Sequence, residues 1–116
     1  MFNVNRTTLL GTVTRDAEQG TRESGIAYTV IGLATRCNSP VQKPRTEAEI
    51  EFHRVLCFGT LAKFAAKLKK GTPLYVEGRN HTVRRVAKGK DVQVIEVIAD
   101  KLVALSKKNT TDAELD

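Results

Sequence analysis

The chain has 116 residues, of which 41% are hydrophobic and 28% are charged, and its 19 Lys and Arg residues against 13 Asp and Glu residues give a net charge of +6. Length and composition are those of one globular domain and exclude a long disordered chain, while no apolar run reaches the ~20 residues of a membrane-spanning helix. The positive charge favours a polyanionic partner, although a basic surface without such a partner would give the same balance.

The chain termini and the cysteines add three expectations. Cys37 and Cys57 show no metal-ligand spacing, and residues 1–6 lack the apolar stretch of a secretory signal, so we expect reduced thiols inside a cell. The last eight residues hold three acids and no base, so residues 1–108 carry all 19 bases against 10 acids. We therefore expect one basic domain over residues 1–107 and a short acidic C-terminal tail over residues 108–116.

Apolar periodicity predicts five strands and one helix in the order β-β-β-α-β-β. The predicted strands, in chain order, are Val4–Val13, Ala27–Thr35, Ile50–Phe58, Leu74–Arg85 and Val92–Leu105. The predicted helix is Thr60–Lys70, with Thr60 as its N-cap, Gly71 at its C-terminal stop and Pro73 just beyond. An all-β chain with one short helix in this order indicates a five-stranded OB-fold barrel, and a split barrel or another small β-fold with an inserted helix would also fit.

The third predicted strand concentrates aromatic and basic side chains on one face. Strand alternation puts Phe52, Arg54 and Phe58 on one side and His53 on the other. Because a buried Arg54 would need a paired charge, we expect this face on the outer wall, where bases stack on the rings and the guanidinium binds phosphate. The alternative is that both rings belong to the core and Arg54 reaches around them to solvent.

Other basic residues lie in two segments outside that strand. A long loop over residues 36–49 contains Arg36 and Lys43, and the fourth predicted strand with its hairpin contains Arg79, Arg84, Arg85, Lys88 and Lys90. Each residue alone would be a solvated charge. Together they predict a groove that follows a nucleic-acid backbone and binds less tightly as salt rises.

Signals for catalysis are weak. Glu47, Glu49 and Glu51 alternate as solvent-facing carboxylates do, and neither His53 nor His81 has a Cys or carboxylate partner at metal-ligand spacing. The sequence holds no Gly-rich phosphate loop and no nucleophile or metalloprotease motif. We therefore expect a protein that is not an enzyme and that needs no metal and no cofactor.

Nine short segments follow one another in a characteristic order: Val4-Asn5-Arg6, Leu9-Leu10-Gly11, Arg15-Asp16, Leu33-Ala34-Thr35, Phe52-His53-Arg54-Val55, Phe58-Gly59, Leu61-Ala62, Lys69-Lys70-Gly71 and Tyr75-Val76-Glu77-Gly78. This ordered set resembles the bacterial and mitochondrial single-stranded DNA-binding proteins. The resemblance runs from about residue 4 to residue 105. It implies an OB-fold that assembles as a homotetramer, or as a homodimer, and binds single-stranded DNA with little sequence preference in replication, repair or recombination.

The resemblance also implies roles for individual residues. Phe52 stands where the family usually has a tryptophan that stacks on a base, Phe58 matches the second stacking aromatic, and Arg54 matches its basic neighbour. His53 falls where the family has a structural histidine near a subunit contact.

Two stacking positions of the family are not aromatic in this chain. Arg85 stands where the family has a tryptophan in the fourth-strand hairpin. The family has a further stacking tryptophan early in the long loop, and residues 38–39 at that position are not aromatic. The chain has no tryptophan at all. Because a guanidinium replaces a ring only in part, we expect weaker stacking and stronger salt dependence than is usual for the family.

The C-terminal residues depart from the bacterial pattern. Bacterial members commonly end in an acidic tip with a terminal Pro-Phe that recruits replication and repair proteins, and residues 110–116 are acidic but lack Pro-Phe. The resemblance implies a cytoplasmic, nucleoid-associated protein, or a mitochondrial matrix protein whose presequence has been removed.

Two other functions remain open: an OB-fold module for RNA binding or a primosome-type adaptor, and a small basic nuclease that uses a metal.

Overall fold

The computed structural model describes residues 2–37 and 49–105. They form six strands and one helix: β1 Thr7–Val13, β2 Glu18–Thr21, β3 Ala27–Cys37, β4 Glu49–Phe58, α1 Thr60–Ala65, β5 Pro73–Ala87 and β6 Lys90–Ala104. The predicted order is confirmed, with two differences at the N-terminal end. β1 begins at Thr7 rather than Val4, and the short strand β2 occupies a segment that was predicted as a polar connection. Lys43 and the expected tail over residues 108–116 lie outside the described residues.

The strands form a single sheet that closes on itself. β1 pairs antiparallel with both β5 and β3, β3 pairs with β4, and β5 pairs with β6. A short parallel pairing of β4 with β6, through Val55 opposite Val97 and Leu56 opposite Ile98, completes the ring. This confirms the predicted five-stranded OB-fold barrel, to which β2 adds a sixth strand at the edge of β3.

The hydrophobic core fills the inside of this ring. Ile31 and Leu33 of β3 and Val55 and Cys57 of β4 point inward at alternate positions and are fully buried. Burial also raises the pKa of the Cys57 thiol to about 12, because the apolar surroundings disfavour the thiolate. The inward face of β4 is thus the one that carries Val55 and Cys57, and the face with Phe52 and Arg54 is the outer one.

The helix is shorter than predicted and begins differently. Gly59, with φ 63°, is the N-cap residue and Thr60 is already helical, so the prediction of Thr60 as N-cap is wrong. Gly59 takes a positive φ where β4 ends, which places Thr60 inside the first turn, where its side chain cannot cap. The helix ends at Ala65: the amide of Ala66 still bonds four residues back, but those of Lys67 and Leu68 bond three residues back, at 3.1 and 3.0 Å. No helix in the described ranges is long and apolar enough to cross a membrane.

β5 and β6 form a long hairpin that extends from the barrel. Its two-residue turn is Lys88-Gly89, both with positive φ (53° and 78°), as a type I′ turn requires. The register shifts between Glu77 and Gly78, which makes Asp100 an additional residue on β6. This β-bulge re-aims the strand, and the hairpin beyond it carries predicted basic residues into solvent.

Candidate nucleic-acid interface

The outer face of β4 carries the two phenylalanines and the arginine that the sequence singled out. Phe52 is 74% exposed, whereas Arg54 and Phe58 are half-buried. Leu56, which lies between Arg54 and Phe58 on the same face, is buried. Neither ring belongs to the core cluster inside the barrel. This face of β4 therefore points outward, as predicted.

Arg54 is held by a carboxylate that the sequence analysis did not single out. The parallel register of β4 and β6 brings Arg54 beside Glu96, and the Arg54 Nε donates a hydrogen bond of 2.5 Å to Glu96 Oε2. Arg85 of β5 donates from Nη2 to the same oxygen at 2.9 Å. The Glu96 side chain is only 4% exposed, and those of Arg54 and Arg85 are 34% and 46% exposed. One buried carboxylate thus joins two half-exposed guanidiniums, and the cluster retains a net positive charge.

An open groove of about 600 Å³ runs beside this cluster. Its lining residues come from all strands except β1 and from the turn after β2: Thr21, Arg22, Glu23, Ser24, Tyr28, Arg54, Leu56, Val83, Arg85 and Glu96. Arg22 reaches from that turn over the ring of Phe58, with its guanidinium carbon 4.6 Å from the ring centroid. At that distance the cation is attracted to the ring face. The groove therefore combines apolar and aromatic side chains (Tyr28, Leu56 and Val83) with three guanidiniums (Arg22, Arg54 and Arg85).

Arg15, like Glu96 and Arg22, is a residue that the sequence analysis did not assign to the site. It lines a depression of about 190 Å³ together with Phe52 and Arg54. A Cβ atom on Gly32, the β3 residue paired with Arg54, would lie 2.8 Å from Arg15 Nη1. The glycine therefore leaves the space that the Arg15 guanidinium occupies. Arg15 also pairs with the exposed Glu18 at 3.5 Å.

The remaining predicted basic residues are distributed over the same side of the molecule and over the hairpin. Arg36 is exposed on β3 and shares the outer face with Phe52, as the pairing of β3 with β4 shows. Arg79 shares a face of β5 with Arg85, whereas Arg84 lies on the opposite face of that strand. Lys88 and Lys90 are exposed at the hairpin tip. The structure thus brings Phe52, Arg54, Phe58 and Arg85 together and leaves Arg84 pointing away from them.

His53 lies on the face of β4 opposite to Phe52. It is half-buried, and its Nε2 shares a hydrogen bond of 2.9 Å with Thr35 Oγ1 on β3. In residues 2–37 and 49–105, no three His, Cys, Asp or Glu side chains come together in a way that could hold a metal ion. His53 is thus a strand-to-strand contact in this chain, and its role at a subunit contact stays a prediction.

A separate surface on β1, β5 and β6 carries exposed apolar side chains. Leu10 of β1 pairs with Tyr75 of β5, which pairs with Val103 of β6, so these three side chains form a row on the outer side of the sheet. Leu10 and Val103 are exposed. The Tyr75 hydroxyl donates a hydrogen bond to the Glu77 carboxylate. This bond raises the pKa of Tyr75, because only the protonated phenol can donate it. Contiguous apolar surface of this kind is typical of contacts between proteins.

The closed five-stranded ring, together with an outer face of aromatic and guanidinium groups, defines an OB-fold barrel with a nucleic-acid-binding type of surface. Comparison with known proteins gives the family. The family model described as the single-strand binding protein family matches residues 4–105, and the chain belongs to this family.

Named relatives and a solved structure agree with this assignment. The chain is 36% identical over 115 residues to "Single-stranded DNA-binding protein 1" of Staphylococcus aureus, covering 97% of this chain and 72% of the relative. It is 30% identical over 104 residues to the "Single-stranded DNA-binding protein" of Xylella fastidiosa, covering 88% and 63%. The structure "Plasmodium falciparum SSB complex with ssDNA" superposes with a TM-score of 0.80 at 20% identity, over 91% of this chain and 98% of that one, and shares the fold.

Proposed function

We propose that this protein binds single-stranded DNA without sequence preference and protects exposed strands during replication, repair or recombination. The observation that carries the proposal is the exposed ring of Phe52 beside the cationic cluster of Arg54 and Arg85. Every base has a face that stacks on such a ring, and every nucleotide has a phosphate for the guanidiniums, so the surface does not distinguish sequences. The names of the family and of the bacterial relatives support the same function.

In this proposal the strand crosses the outer wall of the barrel from Phe52, over Arg54, to Phe58. Arg15 and Arg22 line the two depressions on either side of this path, and Arg36 with the hairpin residues Arg79, Lys88 and Lys90 flank it. Lys43, which lies outside the described residues, is proposed to contribute a further cation. The proposal includes no catalytic step, no metal and no cofactor.

A titration of the whole protein against fluorescent oligo-dT tests this function. We expect log affinity to change with log salt concentration by about −0.7 for each phosphate neutralised. We also expect oligo-dT to be bound in clear preference to duplex DNA and to RNA of matched length, and the labelled strand to remain intact after incubation with Mg²⁺. Preference for RNA would favour an RNA-binding module, no binding to any nucleic acid would favour an adaptor, and cleavage would favour a nuclease.

We further propose that the chain assembles as a homotetramer, or as a homodimer, and acts with DNA in the cytoplasm, associated with the nucleoid. The mitochondrial matrix is the alternative location. The apolar row of Leu10, Tyr75 and Val103 supports assembly because exposed apolar side chains gain free energy when a second copy covers them. His53 is proposed to lie near a subunit contact. Replication and repair proteins are proposed as further partners.

Light scattering tests the assembly. We expect a mass four times the 12.8 kDa of one chain, or twice that value for a dimer. Leu10→Glu is expected to lower the mass, because the new carboxylate would be buried in the contact. Val86→Glu is the matched control, since Val86 is 75% exposed on the hairpin. A wild-type mass of one chain would show that the assembly proposal is wrong, and an oligomer that Leu10→Glu leaves intact would place the contact elsewhere.

A further inference from the structure

We propose that Glu96 is a positioning residue for single-stranded DNA: its carboxylate holds the Arg54 and Arg85 guanidiniums side by side so that both donate to the phosphates of one strand. This inference rests on the proposed function. An acid in the middle of a DNA-binding face is at first sight unfavourable, because it repels phosphate. The geometry of the cluster indicates the opposite effect.

The first step of the argument is where the charges lie. The Glu96 side chain is 4% exposed and accepts from both arginines through one oxygen, Oε2, at 2.5 and 2.9 Å. The two guanidiniums are partly exposed and cover the carboxylate on its outer side. A phosphate that approaches from solvent therefore meets two cations before the anion beneath them.

The second step concerns the donors that remain. A guanidinium has five N–H donors in a planar arrangement. Arg54 uses its Nε toward Glu96 and Arg85 uses Nη2, so the other donors of each group stay available to a ligand. The inward hydrogen bond restricts the orientation of each guanidinium, so the outward donors cover a narrower range of directions.

The third step concerns the cost of ordering. Arg54 is on β4 and Arg85 is on the hairpin strand β5, so their side chains start from two separate elements. Arginine side chains have large rotamer entropy, and a binding site that orders them in advance loses less of it when the ligand arrives. Glu96 on β6 supplies this order before DNA is present.

The test compares two substitutions that change the net charge equally. Glu96→Gln removes the buried carboxylate but keeps the side-chain shape, and Glu23→Gln removes an exposed carboxylate that lines the same groove. If charge alone mattered, both variants would bind oligo-dT more tightly. We expect Glu23→Gln to bind up to about twofold more tightly, and Glu96→Gln to bind roughly tenfold more weakly. We also expect the salt slope of Glu96→Gln to shrink by about 0.7, equivalent to one phosphate contact.

A result in which Glu96→Gln binds as tightly as wild type or more tightly would overturn the inference. Failure of the wild-type protein to bind oligo-dT would instead reject the proposed function. Far-UV circular dichroism checks that the variant folds.

If the Glu96→Gln variant does not fold, the wild-type protein itself supplies the test. We expect the NMR signal of the Arg54 Nε–H to remain protected from solvent exchange when oligo-dT is bound, because the Glu96 contact persists in the complex. Loss of that protection on binding would show that Glu96 competes with DNA for Arg54, and the inference would be wrong.

Discussion

Replacing Phe52 with alanine is expected to weaken the binding of oligo-dT by about 1–3 kcal/mol, or roughly 5- to 150-fold in Kd. Phe52 is the most exposed large ring on the proposed DNA-binding face, at 74%. An exposed ring contributes little to folding, so the loss should appear in binding and leave the free energy of unfolding nearly unchanged. The measurement is fluorescence anisotropy with labelled oligo-dT at fixed salt, combined with urea unfolding of both proteins.

Phe64 provides the matched control for this substitution. It is 41% exposed on α1, away from the groove, so Phe64→Ala should leave the Kd within about twofold of wild type. A salt series separates the ring from the charge: Phe52→Ala should lower affinity at every salt concentration without changing the salt slope, because stacking releases no counterions. If Phe52→Ala and Arg54→Ala combined in one chain leave oligo-dT affinity unchanged, the DNA-binding face has been assigned wrongly.

Gly78→Ala is expected to destabilise the fold by about 3 kcal/mol, at the upper end of what overpacking costs. A Cβ atom at this position would lie 2.1 Å from the carbonyl oxygen of Ile98 and 2.9 Å from its carbonyl carbon. Both atoms are backbone and cannot turn away, so the bulge between β5 and β6 has to open. Urea unfolding followed by far-UV circular dichroism measures the loss.

Gly89→Ala separates this steric effect from ordinary backbone strain. Gly89 has φ 78° in the hairpin turn, and a Cβ there would meet nothing within 4 Å. An alanine should cost only about 1 kcal/mol, the strain of the left-handed conformation. If Gly78→Ala costs no more than Gly89→Ala, the close approach of β5 to β6 does not limit that position.

The β-bulge at Gly78 explains why replacing this glycine should affect more than one contact. Gly78 pairs with Ala99 and Glu77 pairs with Lys101, so β6 accommodates one additional residue. The extra residue lets Ala99 and Leu102 both face the core although they are three positions apart. An opened bulge would turn one of them outward.

The outer face of β4 could be predicted from the sequence because strand alternation is local. Phe52, Arg54 and Phe58 share a side whatever the neighbouring strands do. That this side faces outward was predicted from Arg54, whose charge would need a partner in a core, and the burial of Val55 and Cys57 on the other side agrees with it. The hairpin tip was equally predictable, since Gly89 readily adopts the positive φ that a type I′ turn requires.

Glu96 could not be predicted as part of the site from its own segment. It becomes a partner of Arg54 only through the parallel register of β4 with β6, a pairing between residues more than 40 positions apart. Arg15 and Arg22 could not be predicted as part of the site for a related reason. They flank β2, whose sequence Glu-Gln-Gly-Thr has no apolar alternation, and only the folded edge of β3 places them beside Phe52 and Phe58.

The contact between Arg22 and Phe58 makes the two phenylalanines unequal. In the proposed binding mode, a base that stacks on Phe58 would replace a guanidinium that already lies 4.6 Å from the ring centroid, so the free energy gained would be the difference between two ring contacts. A base that stacks on Phe52, which is 74% exposed, would displace mainly water. We therefore expect the larger stacking contribution at Phe52 and the smaller one at Phe58, where the displaced Arg22 would be free to pair with a phosphate.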